Sequence, residues 1–133
     1  MAREILIKAK NVHGEWLIGN PAYESNGELN LIVNKEYRTI VEETVCQFIG
    51  LQDKENNRIF ENDILQTGDG TDVYPYKNWH VYFSKVIGQY RLKNIDGPGE
   101  MNPFPLNQKS VVIGNMYDKK NEGIYKKNAG TRC

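Results

Sequence analysis

Thr44-Val45-Cys46-Gln47-Phe48-Ile49-Gly50-Leu51-Gln52-Asp53-Lys54-Glu55-Asn56-Asn57-Arg58-Ile59-Phe60-Glu61-Asn62-Asp63-Ile64-Leu65 is the stretch whose reading decides the fold. Two short apolar runs, Phe48 to Leu51 and Ile59 to Phe60, flank a polar link that ends in Asn56-Asn57-Arg58. Tandem asparagines between β-prone residues read as a strand, a turn and a second strand. Glu61-Asn62-Asp63 breaks the chain again, and Ile64-Leu65 opens another strand.

The same rhythm runs outward in both directions. Ile5, Ile7 and Ala9 alternate with Leu6, Lys8 and Lys10, the pattern of a half-buried strand. His13-Gly14 turns the chain into Glu15-Trp16-Leu17-Ile18. Asn20-Pro21 and Ser25-Asn26-Gly27 are breakers. Leu29 to Val33 and Tyr37 to Val41 are strand-like, with room for a helical turn near Glu42-Glu43. Beyond residue 65, a loop from Gly68 to Tyr76 leads into strands at Trp79 to Phe83 and Val86 to Leu92. A second loop, Asp96 to Pro105, precedes Ser110 to Asp118. Nowhere do apolar residues keep a spacing of three and four for a dozen positions, so little helix is expected. Short strands with frequent turns predict an all-β fold, closed into a small barrel to remove open edges.

Residues 44 to 65 resemble the YopX-like family of phage and prophage proteins, whose pattern reads roughly Q-F-T-G-L-K-D-K-N-G-K-x-I-Y-E-G-D-I-V. Val112-Ile113-Gly114-Asn115-Met116-Tyr117 is similar to that family's second signature, V-I-G-N-I-Y, and Arg3 to Ala9 to its opening. The resemblance implies an SH3-like barrel or β-roll in one or two lobes, and an origin in phage or integrated elements. It implies no activity. On this reading residues 1–118 form one compact domain, with residues 20–43 a variable insertion and residues 119–133 a C-terminal tail. The family places glycine where Asn57 and Asn62 stand. Asparagine enters the left-handed region more cheaply than other residues with a Cβ, so positive φ is expected at both.

Bulk properties narrow the function. The chain has 133 residues, enough for one domain or two small lobes. Lys plus Arg and Asp plus Glu both number 17, which argues against a generic duplex nucleic-acid binder, since such proteins carry a basic excess. Cys46 sits in an apolar strand as a small hydrophobe, Cys133 is terminal, and nothing suggests a disulfide. No apolar stretch approaches the ~20 residues of a membrane span, and no signal peptide is evident. The expected location is cytoplasmic.

The chemistry-bearing residues favour structural roles. Asp53, Glu55, Glu61, Asp63 and Asp69 lack the ligand spacing of a calcium loop, and Asp53 and Asp63 are expected to hold turns. His13 and His80 show no zinc spacing, and His80 is expected to point away from the core. Gly68-Asp69-Gly70 and Gly97-Pro98-Gly99 are not phosphate loops. No cofactor, metal or catalytic residue is expected, and the chain reads as non-enzymatic. The candidate partner-binding residues are Tyr74, Tyr76 and Trp79, and a protein partner or a second copy is the expected ligand. The alternative is a single-stranded nucleic acid stacked on the aromatic segment 74–90, with Lys77, Lys85, Arg91 and Lys93 supplying charge. The expected apolar spine is Ile5, Ile7, Phe48, Leu51, Ile59, Ile64, Val81, Phe83, Val112 and Ile113.

Overall fold

A computed structural model describes residues 5–118, so the expected tail at 119–133 lies outside the described residues. About half of the described chain is antiparallel strand, with only short helical turns besides, in two compact units that meet in sequence at Phe48 and Ile49.

The first unit is a meander of β1 (Ile7–Lys10), β2 (Trp16–Tyr23), β3 (Leu29–Val33) and β4 (Glu36–Thr39), followed by a 3-10 turn at Glu42–Thr44. The first part of β5 (Cys46–Gln52) returns beside β1, with Ile7 opposite Gln47 and Lys8 opposite Cys46. Strict alternation in β1 sends Ile7 and Ala9 inward to join Leu31 and Ile40 in a core. Asn11 makes the β1–β2 turn, its Oδ1 accepting from the backbone N–H of His13 and Glu15. Asn34 and Lys35 link β3 to β4 with φ of 51° and 69°, a two-residue turn whose twist matches the flanking strands. Gly19 is required, because a Cβ there would meet the Ile32 carbonyl oxygen at 2.3 Å. Residues 20–43 contribute to the core of this unit. They supply two strands and the fully buried Leu31.

The second unit begins with the rest of β5, whose neighbour is β6 (Arg58–Phe60). Its larger sheet runs β10-β9-β8-β7-β11, from β7 (Asp63–Thr67), β8 (Lys77–Ser84), β9 (Gln89–Asn94), β10 (Glu100–Met101) and β11 (Ser110–Asn115). A short helix α1 (Pro103–Leu106), irregular at Phe104, precedes β11. Ile59, Leu65, Trp79, Val81 and Leu92 form the core, flanked by Ile49, Leu51, Leu106 and Val112. The sheets are open, not a closed barrel. The side of β11 facing away from β7 is occupied instead, since Lys54 N–H donates to the Ser110 carbonyl and Val112 N–H to Asp53 Oδ2.

Of the expected spine, Ile7, Ile59, Ile64 and Val81 are buried and Phe48, Leu51 and Val112 half-buried. Ile5 is exposed because it precedes the first strand. Phe83 lies near the end of the β8–β9 hairpin, edge-on to Tyr90. Ile113 is exposed because the register slips between Val112 and Gly114, and a bulge breaks the alternation there. Asn62 has φ of 68°, as expected, but its companion is Asn56 at 67° and not Asn57. The turn closes through Asn56 N–H to the Asp53 carbonyl and Asp53 N–H to the Asn57 carbonyl, which puts the left-handed residue one position earlier. Asn62→Val is expected to be less stable than Asn62→Gly by about 1 kcal/mol in chemical denaturation, since both lose the side-chain amide but only valine is strained.

Candidate functional site

The acidic residues near the turns spend their oxygens on the chain itself. Asp53 Oδ1 accepts from the N–H of Glu55 at 2.9 Å and of Asn57 at 2.8 Å, while Oδ2 accepts from Val112 N–H at 2.9 Å. Burial pushes the Asp53 carboxyl up, but the bonds from Val112, Asn57 and Glu55 together outweigh it and hold the group below its ordinary value. Asp63, fully buried, accepts from Phe60 N–H at 2.8 Å and from the Asn115 side-chain amide at 2.9 Å. Both aspartates hold turns, as the sequence predicts.

Asp63 and Asn115 stand opposite each other in the β7–β11 register, so the two signature stretches meet in one buried polar cluster. Asn115 Oδ1 accepts from Tyr117 N–H, and the Asn62 carbonyl accepts from Met116 N–H. His80 belongs to this cluster. It is buried, and its Nε2 lies 2.9 Å from Asn62 Oδ1, a group that only accepts, so Nε2 carries the proton. The expectation that His80 faces outward is overturned because the middle of β8 is covered on both faces: Trp79, His80 and Val81 are all buried. Among the described residues no three of His, Cys, Asp and Glu gather as a metal-ligand set.

The three residues expected to bind a partner are not brought together. Trp79 is buried opposite Leu65, its indole N–H donating to Thr67 Oγ1 at 3.0 Å. Tyr74 is 65% exposed and Tyr76 57% exposed, with Val73 open beside them. The loop that carries them is braced internally. Asp69 and Gly70 both donate from their N–H to the Tyr74 carbonyl, Thr71 donates twice to Asp69 Oδ1, and Tyr74 N–H reaches Thr71 Oγ1. Gly70 lies under the Tyr76 ring, where a Cβ would come within 2.7 Å. Two rings are thus held in water on a loop with fixed geometry.

A second feature has no local sequence signal beyond its proline-rich loop. A cleft of about 380 Å³ opens beside β9, β10 and α1. Met101, Phe104, Pro105 and Leu106 form its apolar wall, and Arg91 and Lys109 bring positive charge. Arg91 is steadied by a bond to Asn102, and Glu100 by the Tyr82 hydroxyl.

Open antiparallel sheets whose turns are locked by Asp and Asn define a small all-β protein. The chain matches the family model described as YopX protein over residues 10–121. It belongs to the YopX protein family. No curated protein matches the chain. Among the described residues no helix is long and apolar enough to cross a membrane.

Two outcomes follow from the acids. The Asp53 carboxyl is held below its unfolded value, so its contribution is present above about pH 4 and is lost as pH falls through the folded value. Asp53→Asn is expected to be less stable than the wild type at pH 7, with the gap narrowing in denaturation curves below pH 4; a gap constant down to pH 2 contradicts this. Asn115→Ala leaves the buried Asp63 carboxylate short of a donor and is expected to cost roughly 2–3 kcal/mol by the same measurement.

Proposed function

We propose that this YopX-family chain is a non-enzymatic binding module of a phage or prophage that works through protein contacts, with Tyr74 and Tyr76 as its anchors. The observation that carries this reading is the pair of exposed rings on a loop braced by its own hydrogen bonds. A loop whose backbone is already braced loses little conformational freedom on binding, which favours the residues it carries as anchors. A second copy of the chain is the first partner to test, because a formal charge of zero offers no net repulsion between copies. The nucleic-acid alternative loses support because Trp79, the largest ring of segment 74–90, is in the core and unavailable for stacking.

The test is sedimentation of the wild type and of a Tyr74→Ala/Tyr76→Ala double variant over a range of concentrations, with a low-salt band shift on labelled single strands. The expected result is a concentration-dependent assembly that the double variant loses while keeping its thermal unfolding curve. A wild type that stays at 15.3 kDa throughout, or a single-strand shift that the double variant abolishes, would overturn the reading.

A further inference from the structure

We propose that the cleft beside β10 is a docking site for an acidic, extended segment of a protein partner, seating one apolar side chain against Phe104 and a neighbouring carboxylate between Arg91 and Lys109. The proposal rests on the reading of the chain as a binding module but not on the tyrosine loop, which lines no part of this cleft.

Three observations converge on that occupant. First, the wall is apolar and open to water. Met101 is 44% and Phe104 59% exposed, although they stand side by side with Pro105 and Leu106 around about 380 Å³ of space. That volume is at the lower end for ligand sites and accepts a single large side chain comfortably.

Second, the charge balance selects an anion. Arg91 and Lys109 are the cations of the lining, and neither has a carboxylate partner among the described residues. The bond to Asn102 uses one of the five N–H donors of Arg91, which fixes the guanidinium and leaves donors in a fork suited to a carboxylate. Glu100, the one acid of the lining, accepts from the Tyr82 hydroxyl and stands across the ladder from Lys93, and two cations against one acid leave the lining with a positive excess.

Third, β10 is the last strand of its sheet, with β9 on one side and, among the described residues, no strand on the other. An extended segment lying along that margin finds unpaired backbone groups beside the cleft. A compact small molecule uses the cleft and the charges but not the edge.

The experiment is an amide-shift titration of the full chain with a blocked hexapeptide carrying one phenylalanine followed by two aspartates. Two analogues accompany it, one with asparagines for the aspartates and one with alanine for the phenylalanine. Expected are shifts confined to Arg91, the 100–106 stretch and Lys109, with binding weakened about tenfold by either analogue and by Arg91→Gln or Lys109→Gln. Rising salt should weaken it further. The Tyr74→Ala/Tyr76→Ala variant should bind the peptide as the wild type does, which separates failure here from failure of the tyrosine reading. Equal binding of the asparagine analogue, unchanged affinity in both cation variants, or no shift at millimolar peptide would overturn the proposal. Phenylacetate binding as tightly as the peptide would overturn the peptide assignment.

Discussion

The second unit depends on one arrangement, the return of β11 to the side of β7. Val112 and Asp53 are 59 positions apart, and Asn115 and Asp63 are 52 apart, yet the carboxylate of each pair accepts a hydrogen bond of 2.9 Å from its partner. Ladder bonds alone would leave β11 free to slip by two residues, since an antiparallel ladder repeats at that interval. Asp63 removes that freedom, because only one register places the Asn115 amide on its carboxylate. The bulge at Ile113 reconciles this fixed point with the pairing of Ser110 to Val112.

The same groups explain why an open sheet is stable against pairing with another chain along β11. A closed barrel is one solution to the problem of bare edges, and a side chain that occupies the edge is another. Here the turn that follows β5 supplies both a carboxylate and an N–H to the outer side of β11. Among the described residues the edge at β10 has no such cover, and it is where the cleft lies. One margin of the sheet is thus closed by the chain's own turn, while among the described residues the other has only β9 as a neighbour.

What could be read from sequence divides along the range of the interaction. Turn residues were legible: Asp53 and Asn62 act within a few positions of themselves, and Asn62 adopts the left-handed conformation its side chain tolerates. Strand existence was legible too, because alternation in β1 is a local property. His80 was misread, since a strand covered on both faces shows no alternation to set it apart from Trp79. Asn56 took the place of Asn57 because the position of a turn's left-handed residue depends on which backbone groups close it. The cleft was visible only as a proline-rich loop. Its cations come from β9 and from the turn after α1, and no pattern in the chain announces that they meet.

The late position of β11 has a consequence during synthesis. β11 is the last strand of the described residues and follows β5 to β10 in the order of synthesis. Until it is made Asp63 lacks the Asn115 amide and Asp53 lacks the Val112 N–H, so both carboxylates are better solvated than buried. Both acids can still hold their local turns, Asp53 through Glu55 and Asn57 and Asp63 through Phe60, but without β11 each is short of its long-range donor. Arrival of one short strand satisfies both acids at once. The second unit therefore completes these buried polar bonds only with its last strand, and an alignment that misplaced β11 would leave both acids short of a donor.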